Sequence, residues 1–118
     1  MHAPRTRDGK LFAIERGAIR GDDTVRALNA VARMEHIHDR DKGYAEIAEE
    51  MAWWEPVESV LRVIALIADP HVHDMTLVRL AQNTLEQKDQ DGARSYLSHM
   101  RDHAMREQTI RRMGLEVA

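Results

Sequence analysis

The sequence predicts an all-α protein: a compact bundle of about five helices with an N-terminal arm. Two features of the composition of this 118-residue chain favour helices over sheets: glycine and proline are scarce, at six and three residues, and only five residues are aromatic. The third observation is periodicity, since apolar residues recur at helical spacing along much of the chain. Hydrophobic residues make up 43% and charged residues 31%, which is typical of a folded domain, and the length predicts one domain.

The N-terminal arm covers residues 1–20, and residues 21–118 form the single helical domain. The arm lacks a sustained apolar stripe, and Asp8-Gly9 is a turn signal. The first helix begins within residues 22–24, where an Asp or Thr side chain can cap it, and extends to about His38. The polar run at residues 38–43 is predicted to interrupt the helices.

The middle of the chain predicts two helices joined by a turn. A short helix covers 44–51, and Pro56 suits the first position of the next helix. Nine of the twelve residues in the segment 57–68 are apolar, so this helix must be buried on most sides. In so small a chain it is either a central helix or a subunit interface.

Two further helices complete the prediction. One covers about 74–88, with Asp74 as its cap, and the other covers about 93–113 and ends at Gly114. We find no internal repeat, low-complexity tract or long linker in the sequence.

Several classes of chemistry lack their characteristic residues. Without cysteine the chain has no disulfide, thiolate metal site or cysteine nucleophile. It also has no glycine-rich phosphate loop, nucleophile elbow or zinc-protease motif. We therefore predict a protein that is not an enzyme and takes no cofactor. The first ten residues lack the apolar core of a signal peptide, and no apolar stretch approaches the roughly 20 residues that span a bilayer, so we expect a cytoplasmic protein.

Histidine is the one enriched chemical residue, with seven copies. His99 and His103 are four residues apart, so on a helix their rings share a face and are weak candidates for metal ligands. They fall at the edge of the apolar stripe, where an amphipathic ring is ordinary. We therefore predict no metal site, and a histidine-based metal-binding bundle is the second alternative function.

One segment resembles a known DNA-binding element. The sequence GYAEIAEEMA (residues 43–52), followed by a turn and a helix, resembles the first helix of many bacterial helix-turn-helix domains. The resemblance covers about twenty residues and implies a transcriptional regulator with a divergent helix-turn-helix around 44–68. The expected recognition helix, however, offers mainly apolar and acidic residues where base and phosphate contacts are needed. DNA binding is therefore the first alternative function.

Charge is segregated along the chain. Residues 1–20 carry five basic and two acidic side chains, 21–90 carry seven basic and fourteen acidic, and 91–118 carry five basic and four acidic. The basic ends are predicted to neutralise the acidic middle within the chain or on a second copy. The alternative is that they bind nucleic acid or an acidic partner.

The favoured function is binding to another protein, as an adaptor, anti-activator or inhibitor. We expect a homodimer formed through the 57–68 helix or the final helix. Adjacent tryptophans diverge, so one of Trp53 and Trp54 is expected to be buried in the core and the other to face outward as an interface anchor. The alternative is that both are half-buried under the N-terminal arm. The six predicted partner-binding residues are Trp53, Trp54, Met105, Arg101, Arg106 and Arg112.

Overall fold

A computed structural model describes residues 3–116, with side chains from Arg7 onward. Within this range the protein is all-α, as predicted, but it has seven helices rather than about five, and no strand. The helices are α1 (Ala3–Arg20), α2 (Thr24–Ala32), α3 (Ile37–Met51), α4 (Val57–Ile64), α5 (Pro70–Glu86), α6 (Gln90–Leu97) and α7 (His103–Arg112). None of the helices in the described range is both long and apolar enough to cross a membrane.

The helices recur at a fixed interval along the chain. The short helices α2, α4 and α6 begin at Thr24, Val57 and Gln90, and the longer helices α3, α5 and α7 begin at Ile37, Pro70 and His103. Both sets of starts are evenly spaced by the same interval, which we call the repeat period. The expectation of no internal repeat is therefore wrong: a long helix followed by a short helix occurs three times, and α7 begins a fourth unit.

The repeats are stacked in chain order. Long helices contact the next long helix, α1 on α3 and α3 on α5, and α4 likewise contacts α6. The described chain measures 52 × 28 × 20 Å, so the stack is elongated along one direction. This nearest-neighbour arrangement is that of a helical solenoid, in which each unit buries its apolar face against the adjacent units.

One buried aspartate in each repeat fixes the connection to the next repeat. Asp8, Asp41 and Asp74 are 1%, 3% and 2% exposed and stand one repeat period apart. Each carboxylate accepts two backbone N–H bonds from residues that lead into the following long helix, and we call this unit the aspartate clamp. The bonds come to Asp8 from Glu35 (2.8 Å) and His36 (3.0 Å), to Asp41 from Ala68 (2.9 Å) and Asp69 (3.0 Å), and to Asp74 from Arg101 (2.9 Å) and Asp102 (2.9 Å).

The clamp is physically reasonable because N–H donors compensate a buried carboxylate and the amides at a helix N-terminus lack partners within the helix. Burial alone would raise the pKa of Asp74, but the Arg101 N–H, the His73 ring and the Asp102 N–H outweigh it and hold the pKa below its usual value. Asp74 therefore stays ionised in the core.

The core uses the same positions in each repeat. Four sites recur on the short helix and the loop after it, and all twelve side chains are buried: Ala27, Val60 and Ala93; Ala30, Val63 and Tyr96; Val31, Ile64 and Leu97; and Met34, Ile67 and Met100. The residue type changes but its apolar character does not, so each repeat presents an equivalent surface to its neighbours.

Several predicted boundaries are corrected. Residues 3–20, expected to lie in an arm, form α1, which packs on α2. Residues 38–43, expected as a break, lie inside α3, where Asp41 and Gly43 point into the core rather than to solvent. The apolar helix predicted over 57–68 ends at Ile64, and Ile67 reaches the core from the loop.

The later helices also begin and end elsewhere. Asp69, not Asp74, caps α5, because its side chain accepts the N–H groups of His71 and Val72. The helix predicted over 93–113 is two helices, separated where the clamp holds the 101–102 amides. Asp102 then starts α7 by accepting the N–H of Met105 at 3.0 Å.

Candidate protein-binding surface

A groove lies between the long helices α3 and α5. Its volume is about 670 Å³. The groove exists because successive long helices lie side by side and expose equivalent positions, for example His38 and His71, which stand one repeat period apart. The lining residues are His38, Lys42, Ala45, Glu46, Glu49, His71, Val72, Met75 and Arg79. We call this the α3–α5 groove.

The groove combines an apolar strip with a charged rim. Ala45, Val72 and Met75 are at least half-buried apolar side chains on its two helices. On the rim, Arg79 Nε and Nη2 donate to the two carboxylate oxygens of Glu49 at 3.3 and 3.4 Å. An apolar strip with a few placed polar groups is what a protein or peptide segment needs for docking.

A matching ion pair joins α1 to α3. Arg16 donates to both carboxylate oxygens of Glu46, at 3.2 and 3.0 Å. The Arg16 guanidinium and the Lys42 ammonium also lie near the Phe12 ring, 5.0 and 5.7 Å from its centroid. These contacts orient the polar rim where the first two repeats meet.

A buried carboxyl lies beside this rim. Glu15 has no exposed surface, and burial first, then the neighbouring Glu46, raise the pKa of Glu15 to about 8. For Glu46 the effect of burial is the largest and raises its pKa, but Arg16 and Glu15 outweigh burial and lower the pKa. At neutral pH Glu15 is therefore protonated while Glu46 is ionised.

The two tryptophans among the predicted binding residues lie in the turn between α3 and α4. Both Trp53 and Trp54 are 62% exposed, where one was expected to be buried.

The other four are two repeats further along, in α7 or just before it. Met105 and Arg101 line a pocket of about 300 Å³ between the starts of α5 and α7. Arg106 is half-buried and Arg112 is exposed. The six residues thus form two separate groups rather than one surface.

The candidate metal pair does not share a helix. His99 follows α6, where its Nδ1 lies 3.0 Å from the carbonyl oxygen of Ser95, whereas His103 begins α7. His71 and His73, which precede the helix predicted from about residue 74, are in α5, and His73 is buried with Nδ1 2.8 Å from Asp74 Oδ1. Among residues 3–116, no three His, Asp or Glu side chains are grouped so that they would hold a metal ion.

Sequence reasoning missed the groove residues His38, Lys42, His71 and Arg79, and the buried Glu15. The signal that would have found them is the even spacing of Asp8, Asp41 and Asp74. Once the repeats are aligned, the long helices become neighbours and Glu15 stands where the other repeats have Ala48 and Ala81.

Comparison of the chain with protein-family models, curated proteins and solved structures gives no match.

Proposed function

We propose that this chain is a non-enzymatic protein-interaction module of the adaptor, anti-activator or inhibitor type, which binds a segment of a partner protein in the α3–α5 groove. The observation that carries the proposal is the groove itself, an apolar strip with a polar rim that two successive repeats form together. Stacked helical repeats characteristically use such extended surfaces for binding. We propose that the protein acts in the cytoplasm.

The groove suits an extended or helical segment with an apolar side chain. Met75 offers an adaptable apolar contact, and the Arg79–Glu49 pair offers a donor and acceptor that can exchange partners. The Lys42 ammonium and the imidazoles of His38 and His71 add further polar groups to the lining. A partner that places one apolar anchor on Met75 and a polar group near Arg79 would use both parts.

Homodimer formation remains a prediction. The expected interface is the 57–68 segment or the final helix, and four apolar side chains of the segment are buried within the chain: Val60, Val63, Ile64 and Ile67. Leu66, at 52% exposure, is the large apolar side chain of this segment that remains on the surface. Light scattering will measure the oligomeric state.

The test is affinity capture followed by mass spectrometry with three forms of the protein. Met75→Glu places a charge on the apolar strip, and Ser95→Glu is a matched control on the exposed face of α6. Circular dichroism checks that both variants fold. We expect wild type and Ser95→Glu to capture the same partner and Met75→Glu to lose it. Capture by all three forms, or by none, would contradict the proposal.

A further inference from the structure

The turn between α3 and α4 carries aromatic side chains that the repeat does not require. At the positions of Trp53 and Trp54, the first repeat has Arg20 and Gly21 and the third has Glu86 and Gln87. Arg20 and Glu86 are the last residues of α1 and α5, so the other two connections from a long to a short helix form without an aromatic side chain at these positions. Two adjacent indoles at 62% exposure therefore indicate a contact surface.

The backbone of this turn is well defined. The N–H groups of Trp54 and Glu55 both donate to the carbonyl oxygen of Met51, at 3.1 and 2.7 Å, and Pro56 fixes the next backbone angle. The indoles are thus displayed from an ordered turn, which lowers the entropy lost when a partner binds.

The charged residues that line a cleft beside Trp54 are all acidic. Trp54 lines a cleft of about 290 Å³ with Asp22, Thr24 and Glu55, and no Lys or Arg lines it. No ion pair of Asp22 or Glu55 occurs within the described part of the chain. This Trp54 cleft therefore presents two carboxylates beside an exposed indole.

The cleft beside the neighbouring Trp53 has less uncompensated negative charge. Its cleft, about 330 Å³, includes Glu46, Glu49 and Glu50. Glu46 and Glu49, however, are already paired with Arg16 and Arg79. The uncompensated negative charge beside an indole is thus concentrated at Trp54.

We propose that the Trp54 cleft binds a Lys or Arg side chain on a basic segment of a partner protein. An indole face attracts a cation through its quadrupole, and the two carboxylates add complementary charge at the rim. The Trp54 cleft shares no lining residue with the α3–α5 groove. The two binding sites are therefore independent, and failure of one does not affect the other.

Asp22 permits a conservative test of the charge. Its φ is +59°, in the left-handed region that Asn also adopts readily. Asp22→Asn combined with Glu55→Gln removes both charges with little change in shape. Glu86→Gln combined with Glu107→Gln is the matched control, since it removes the same net charge from exposed positions outside the cleft.

The probe is a synthetic eight-residue peptide of alternating Lys and Gly, with a Glu–Gly peptide of equal length as the reference. Binding is followed by calorimetry and tryptophan fluorescence at low salt. We expect the Lys–Gly peptide to bind and the Glu–Gly peptide not to bind. The affinity for the Lys–Gly peptide should fall by about threefold or more in Asp22→Asn/Glu55→Gln and in Trp54→Leu. The charge-matched control should keep at least half the affinity.

Equal weakening by the test and control variants would overturn the proposal, because it would show attraction to net charge only. Absence of binding would also overturn it. So would self-association that Trp54→Leu abolishes in the absence of peptide binding, because the indole would then be a contact between copies of this chain.

Discussion

The first and second repeats share a helix arrangement, but at one buried position the first has an ionisable side chain and the second an apolar one. In the second repeat Ala48 fills a site on the inner face of the long helix, and Ala81 does so in the third. In the first repeat the same site holds Glu15, which is fully buried beside Glu46. The same backbone thus accommodates a buried carboxyl group in the first repeat and an alanine methyl group in the other two. Because the carboxyl group can ionise, the stability of the first repeat depends on pH.

Replacing Glu15 should produce the largest effect. Burial raises the pKa of Glu15 from 4.5 to about 8, so the folded state holds a proton that the unfolded chain releases. Its contribution to stability is therefore fully present below pH 4.5 and is lost as the pH rises to 8 and above. At about 1.4 kcal/mol per pKa unit, the loss is on the order of 5 kcal/mol.

We expect Glu15→Gln to have a higher free energy of unfolding than wild type at pH 9 and a flatter pH profile from 5 to 9. Urea unfolding at a series of pH values measures both. Glu15→Ala recreates the residue of the other repeats and should flatten the profile equally. Parallel profiles for wild type and Glu15→Gln would show that Glu15 titrates normally.

The aspartate clamp is what the repeats have in common, and Asp41→Asn tests it. Asn keeps one acceptor but turns its NH₂ group towards a backbone N–H, so one of the bonds to Ala68 and Asp69 is lost. We expect a loss of about 2–4 kcal/mol in the free energy of unfolding. Asp91→Asn, at a solvated position in α6, should cost far less. Similar values for the two variants would contradict a structural role for the clamp.

Gly43 tests the close packing of the second repeat on the first. A Cβ at this position would lie 2.6 Å from Cγ2 of Val31, and the buried, β-branched Val31 cannot easily move away. We expect Gly43→Ala to lower the free energy of unfolding by about 1–3 kcal/mol, despite the better helix propensity of Ala.

Gly9→Ala is the matched control, because Gly9 is inside α1 and a Cβ added at this position would have no atom within 4 Å. It should raise the melting temperature, since the better helix former adds up to about 1 kcal/mol of stability. If Gly43→Ala also raises the melting temperature, α2 and α3 are not packed as described.

The rim ion pairs should contribute least. The Arg79–Glu49 pair is partly exposed and its bonds are 3.3 and 3.4 Å long, so Arg79→Gln should cost about 0–1 kcal/mol, and less at high salt. Chemical unfolding at low and high salt checks this. A larger loss that does not depend on salt would mean that the stem of Arg79 contributes to packing.

The sequence allowed the all-α class to be predicted because helix-forming composition and apolar periodicity are local properties. The repeat was missed because the buried apolar sites keep only their apolar character, as Val31, Ile64 and Leu97 illustrate. Its signal in the sequence is the even spacing of the three clamp aspartates. Asp41 lies in a polar run that resembles a loop, yet its charge is compensated by amides 27 and 28 residues away. Such long-range compensation has no local signature.

For the candidate surfaces, too, the local feature was predicted and the long-range feature was not. Exposure of an indole at the turn was predicted from two adjacent aromatics, whose side chains diverge. The α3–α5 groove was not predicted, because it depends on Lys42 and Met75 being brought together from helices of different repeats.

Amide hydrogen exchange tests the repeat architecture most directly. The six N–H groups bound by Asp8, Asp41 and Asp74 lie in the connections just before α3, α5 and α7, where amides normally exchange fast. We predict that all six are protected by about a hundredfold or more in wild type. Asp41→Asn should release residues 68 and 69 while 35, 36, 101 and 102 stay protected. Exchange of the six amides at the rates of an unfolded chain would contradict the clamp and, with it, the helical repeat.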